Sequence, residues 1–356
     1  MLSRERFLSA MSYKGYDRPP THYYTYSAPE INETLYGALG VRSDDGLINA
    51  LGIDFRYVGP KYVGPELRRF SDGTWEGLWG ERYMNVDFGT GSYPEACYLP
   101  FAGIERVEDL QCLRFPSADW YDYTGIYAQC LRSKEYVRLL GGAQDPDFIN
   151  GIARCRGVQQ VLLDIGEENE VYLELMRRQF EFLLDRNRRA LEAARGEIDV
   201  VCFGEDLGDQ RGMLISPAAF DSLFAQYMLE LFAQAHHYGA RTMMHSCGSV
   251  FRMIPRLIDL GLDILEVVQT DANEMEITRL HDAFYGKIAF FGTMSVQSTL
   301  SFGTPESIRE EVRLRKMLFR QGGIVIGPSH GIQVGTPIEN ILAMYDEIGS
   351  IRVLNI

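Results

Sequence analysis

IDVVCFGEDLGDQRGMLISPAAFDSLFAQYMLELFAQAHHYGARTMMHSCG, residues 198–248, decides the architecture. An apolar run at Val200–Phe203 gives way to a polar, glycine-containing turn. A helix follows, with Ser216 able to cap it and Pro217 suited to its first turn. Apolar residues at Phe220, Leu223, Phe224, Tyr227 and Leu231 recur at helical spacing, and Gly239 ends the run. RTMMHSCG then reads as the strand that opens the next unit. Strand, turn, helix and strand at this pace imply parallel strands joined by right-handed crossovers.

The unit repeats toward the C-terminus. SVFRMIPRLIDLG reads as a helix, and LDILEVVQ, IAFFGTMS and GIVIGPSHG read as short buried strands. Thr304 and Pro305 open the helix of TPESIREEVRLRKMLFRQGG. Thr336 and Glu339 stand at capping-box spacing around Pro337 ahead of the last helix. In the first half THYYTYS (residues 21–27), DFRYVG (54–59) and VRLLGGAQ (137–144) read as strands, which brings the total to eight. Eight such strands predict a single (β/α)8 barrel, a TIM barrel of the α/β class, over residues 1–356 with an N-terminal extension. The Gly- and aromatic-rich DGTWEGLWGERYMNVDFGTGSY predicts a hairpin or lid inserted around residues 72–95. No GxGxxG or GxxxxGK[ST] opens any unit, so nothing points to a dinucleotide or a nucleoside triphosphate.

Composition narrows the function classes. Lys plus Arg number 35 against 49 Asp plus Glu, a formal charge of -14 that argues against nucleic acid and anionic membrane surfaces as partners. No apolar run approaches the length of a membrane span, and MLSRERFLSAMSYKGYDRPP carries charges where a secretory leader needs an apolar stretch. Six scattered cysteines without a CxxC pair fit reduced thiols, so a cytoplasmic location is expected.

Such barrels place their chemistry where the strands end. The residues following the predicted strands include Glu205 and Asp206, His245 and Cys247, Gln269 and Asp271, Ser295, Ser329 and His330. In an extended segment residues 245 and 247 point to the same side. His245 and Cys247 with His330 therefore form a candidate zinc site, with Glu205 filling or guarding a fourth position. A buried cysteine at a strand end is also a common packing residue; what favours ligation is that four such groups share one rim. His236 and His237 close a helix and complement its dipole. Asp54 reads equally as a catalytic carboxylate and as a cap for the preceding loop, and the tyrosines of HYYTYS as pocket or core.

Four stretches, RERFLSAMSYKGYDRPP, GEDLGDQRGMLISPAAFDSLF, HSCGSVFRMIPRLIDLGLDILEVVQ and GPSHGIQVGTPIENILAMY, together resemble the uroporphyrinogen decarboxylase superfamily. The resemblance spans nearly the whole chain and itself implies a (β/α)8 barrel. Decarboxylases of that superfamily carry an N-terminal arginine-rich motif that clamps the substrate carboxylates; here the matching stretch, THYYTYSAPE, has no arginine. The other branch comprises corrinoid-dependent methyltransferases, whose zinc motif is His-x-Cys with a distant Cys. His245 and Cys247 match it, and His330 stands near the place of the downstream Cys. The resemblance implies Zn2+, a corrinoid as methylcobalamin or on a corrinoid protein partner, and a small-molecule methyl acceptor or donor. Two other readings stay open: a decarboxylase-like lyase acting on a porphyrinoid through Asp54 and the tyrosines, and a non-catalytic corrinoid-binding barrel.

Overall fold

The computed structural model describes residues 1–87, 89 and 92–351. Seven parallel strands form one curled sheet in chain order: β1 (Phe55–Tyr57), β2 (Val137–Pro146), β3 (Val200–Gly204), β4 (Arg241–His245), β5 (Ile264–Glu266), β6 (Ala289–Phe291) and β7 (Ile324–Val325). Helices surround it, giving the α/β TIM-barrel architecture expected from the strand–helix repeat. The central strands are largely apolar and covered on both faces; every residue of β3, for instance, is buried. Each fully buried Phe, Leu or Val in them stabilises the fold by about 1.5–3 kcal/mol.

THYYTYS does not make the expected eighth strand. Thr21 forms a single bridge with Ile326. Even so, Pro20–Thr21 joins the two edge strands: Ile326 N–H donates to the Pro20 carbonyl at 2.9 Å, and Asp54 N–H to the Thr21 carbonyl at 3.1 Å. The chain then leaves the sheet. His22 lies so close against Gly327 that a Cβ there would meet its ring at 2.4 Å, and a turn closes with Ser27 N–H on the Tyr24 carbonyl at 2.9 Å.

The long helix Glu170–Ala194 packs against β2, with Asn169 capping the amides of Val171 and Tyr172. The helix predicted after Ser216 forms in two pieces, Pro217–Leu223 and Ala225–His237. Thr304 caps Pro305–Leu318 as expected. The capping box at Thr336 and Glu339 does not form: Pro337 occupies the cap position of Ile338–Ile348, and the Thr336 hydroxyl lies 3.2 Å from that of Ser301. The insertion is a three-stranded antiparallel sheet, Trp75–Glu76, Arg82–Asp87 and Ser92–Tyr98, a little longer than predicted. Phe88, Thr90 and Gly91 of the expected lid, and residues 352–356, lie outside the described residues. Among the described residues no helix is long and apolar enough to cross a membrane.

Register sets the rim. Gly204 pairs with His245, His245 with Glu266, Glu266 with Phe291 and Phe291 with Val325. One layer at the strand ends therefore carries an imidazole beside a carboxylate. Gly204 admits no side chain, because a Cβ there would sit 1.7 Å from the Ala143 carbonyl oxygen.

Candidate metal centre

His245 ends β4, and Cys247 follows in a turn rather than in the strand. That turn is pinned from two sides. The Cys247 N–H donates to Asp206 at 2.8 Å and the Gly248 N–H to the side-chain carbonyl of Gln269 at 2.8 Å. Gly248, at φ +77°, packs against the backbone of Gly208 and Asp209, where any side chain would clash. The Cys247 Sγ thus stands 3.4 Å from His245 Nε2 and 3.4 Å from Gln269 Nε2, an amide that can donate to it.

His330 comes from the segment after β7, and its ring centroid lies 6.1 Å from that of His245. The donor atoms of His245, Cys247 and His330 all lie within 4.8 Å of one another, and among the described residues this is the one group of three or more such donors so close. A tetrahedral zinc site with ordinary bond lengths has edges of about 3.3–3.6 Å. The sulfur–imidazole edge already has that length, and the His330 donor lies within 4.8 Å of both. Two imidazoles and a thiolate suit zinc chemically. Ser329, the neighbour of His330, is turned away and accepts the Val296 N–H at 3.2 Å.

The surrounding carboxylates tune these donors. Glu266 Oε1 lies 3.3 Å from His245 Nδ1 and also accepts the Tyr24 hydroxyl, so it fixes the ring that would present Nε2 to a metal. Burial works against charge at His245, but the Glu266 carboxylate, with hydrogen bonds to Cys247 and Glu266, outweighs it and holds the imidazole well above its ordinary value. Burial pushes the Cys247 thiol up more than the adjacent His245 brings it down. Burial and the neighbouring His245 hold His330 low. Asp206 braces the arrangement, with one oxygen 3.6 Å from His245 Nε2 and the other accepting from Asn150 at 2.8 Å.

Glu205 does not join the donors. Fully buried, its carboxylate accepts the N–H groups of Phe148 at 2.7 Å and Ile149 at 3.0 Å. It thereby holds the turn that places Asp147 in the cavity wall. Burial pushes the Asp147 carboxyl up to about 7 despite Arg154, and burial with Asp147 beside it holds Glu205 well above the carboxylate range. Asp54 is not brought to the site either. It precedes β1, at the opposite end of the barrel, where Arg6 at 2.7 Å, Arg18 at 2.9 Å and the Thr21 N–H at 2.9 Å occupy both its oxygens.

Two openings meet at the three donors. His245 and His330 border a cavity of about 1030 Å³ whose walls include Asp147, Asp206 and Glu266. Cys247 and His330 border a second cleft of about 460 Å³ beside Gln269 and Gln297. Sequence reasoning had Asp206 and Gln269 on the rim. It missed Glu266, whose signal is an acid inside the otherwise apolar LDILEVVQ, and Asp147, for which the signal is slight.

The comparisons agree with this architecture. Residues 84–351 match the family model described as uroporphyrinogen decarboxylase (URO-D). The chain belongs to that family. Comparison with curated proteins gives no significant match. Among solved structures, the URO-D family chain is similar to a methyltransferase from Methanosarcina mazei, with a TM-score of 0.58 at 17% identity over 98% of each chain. At that identity the likeness establishes a shared fold.

Proposed function

We propose that this URO-D family protein is a zinc-dependent methyltransferase, moving a methyl group between a corrinoid and a thiol or other small acceptor. One observation carries the reading: a His–Cys–His donor set lies where two openings meet, so that two reactants can approach it separately. The structural neighbour from Methanosarcina mazei, a methyltransferase by name, adds support, as does the family. The corrinoid would arrive as methylcobalamin or on a corrinoid protein.

Zinc held by His245, Cys247 and His330 would supply a Lewis acid that keeps a thiol deprotonated near neutral pH. The transfer itself is a substitution. The substrate thiolate attacks the methyl carbon of a methyl-Co(III) corrinoid, the carbon–sulfur bond forms as the carbon–cobalt bond breaks, and that electron pair stays on cobalt as Co(I). The chain's own groups do the positioning: Glu266 orients His245, and Asp206 and Gln269 hold the Cys247 turn. Asp147, in the cavity wall and pushed to about 7, is suited to take up the thiol proton. Porphyrinogen decarboxylation fits less well, because a polycarboxylate would meet a wall whose charged side chains are four carboxylates against one guanidinium.

The test has two parts. Purified protein should contain zinc, and a His245→Ala Cys247→Ala variant should lack it; equal zinc in both removes the basis of the proposal. Methylcobalamin mixed with thiols should then convert to the cob(I)alamin spectrum only with the metal-loaded wild type.

A further inference from the structure

The walls of the 1030 Å³ cavity have a charge and a chemistry of their own. Glu30, Asp147, Asp206 and Glu266 face it, against one guanidinium among the described residues, that of Arg154. Arg154 is already committed to Asp147 at 3.4 Å. Even with a dication and a thiolate at the metal site, this wall stays net negative. An anionic tail entering here would be repelled.

The same wall carries Tyr24, Tyr26, Tyr57, Tyr83 and Tyr93. Tyr26, Tyr57 and Tyr93 keep 58%, 64% and 61% of their surface open. That open surface of Tyr26 and Tyr57 borders the cavity. Tyr26 packs on Tyr24 at 4.9 Å between ring centroids and edge-on to the His330 ring at 5.8 Å, so this aromatic wall adjoins the donors directly. Tyrosines with open surface beside a net excess of carboxylates match one ligand type: a positive charge with apolar substituents, which gains from the ring quadrupoles and the carboxylates together.

We infer that this cavity takes a cationic small molecule of the alkylammonium class, its charge held by the tyrosine faces and the acidic wall. The inference rests on the methyl-transfer reading only in assigning that cation as the small methyl acceptor or donor. A neutral aromatic ring would use the tyrosines but gain nothing from the carboxylates.

Calorimetric titration at low ionic strength, on zinc-loaded and metal-free protein, uses three probes: choline, its neutral isostere 3,3-dimethylbutan-1-ol, and 2-mercaptoethanesulfonate. Choline should bind roughly tenfold or more tighter than the isostere, and the sulfonate more weakly than either. Tyr57→Leu and Asp147→Asn should each weaken choline at least about threefold and leave the isostere unchanged. Less than that tenfold preference, preference for the sulfonate, or no choline binding overturns the inference, and the wild-type comparison decides this even if a variant misfolds. Choline binding without any methylcobalamin conversion would sink the methyl-transfer reading alone. Conversion with an anionic thiol and no choline binding would sink this inference alone.

Discussion

Acidification should weaken zinc binding by about a hundredfold per pH unit, and the steepness should persist above pH 7. With His245 and Cys247 both raised, two of the three donors should hold protons at neutrality in the metal-free protein. His245 keeps its proton because the Glu266 carboxylate, 3.3 Å away, together with hydrogen bonds outweighs the burial that disfavours charge. Cys247 keeps its own because burial raises the thiol. His330, held low by burial and by His245, is neutral and releases nothing. A metal takes unprotonated donors, so each ion displaces two protons, equivalent to roughly 3 kcal/mol per pH unit. Between about pH 7 and 8 an ordinary histidine is already neutral, and an unperturbed site of this composition releases one proton. The raised His245 therefore shows itself in that window. Competition with a chromophoric zinc chelator across it, with calorimetry in buffers of different ionisation heat, counts the protons. Glu266→Gln should reduce the count from two to one and weaken zinc by about 10–100-fold. A wild-type count of one between pH 7 and 8 refutes the argument that Glu266 governs His245.

Two further outcomes separate architecture from chemistry. Asp54→Asn leaves the guanidinium groups of Arg6 and Arg18 facing a neutral amide in a buried place, and should cost about 3–5 kcal/mol in urea denaturation while zinc content stays at the wild-type level; lost zinc with unchanged stability would contradict its placement far from the donors. Asp147 has its carboxyl raised from the ordinary value to about 7, so the folded state holds its proton more tightly than the unfolded one, and stability is lost as pH rises from about 4 to 7. Asp147→Asn removes that loss, so the stability of the variant relative to wild type should improve by up to about 4 kcal/mol between pH 4 and 8, and a difference independent of pH would count against it.

The fold was legible because its information is local. Capping residues, helical apolar spacing and short buried runs each lie within one element: Val200–Gly204 extends the predicted run by one residue, and Arg241–His245 and Ile264–Glu266 fall inside the stretches predicted as strands. The failure at THYYTYS has a different origin. Its residues suit a strand, but whether they pair depends on two edges more than thirty and three hundred residues away, and only Pro20–Thr21 reaches both. Pairing there is a tertiary decision that period-two patterning does not contain.

The site divides along the same line. His245 and Cys247 were legible from spacing, although the sulfur reaches its place through a turn held by Asp206 and Gln269, not through strand alternation. Glu205 and Asp206 are adjacent acids after one strand, and a shift of one residue decides which faces the cavity; nothing in GEDLG chooses between them. The structure chooses by hydrogen bonding, since two amides of the 148–149 turn absorb Glu205 and leave Asp206 for the Cys247 turn. Asp54 and Glu266 make the complementary point. Each is a buried acid at the end of a strand, yet Asp54 meets arginines at the N-terminal end and is spent on stability, whereas Glu266 meets an imidazole at the rim. A carboxylate answered by guanidinium is satisfied as folded. One answered by a histidine that also faces a thiol holds that ring with its second nitrogen beside the sulfur, where loss of the protons leaves two donors for one cation, and that pairing marks the metal end of this barrel.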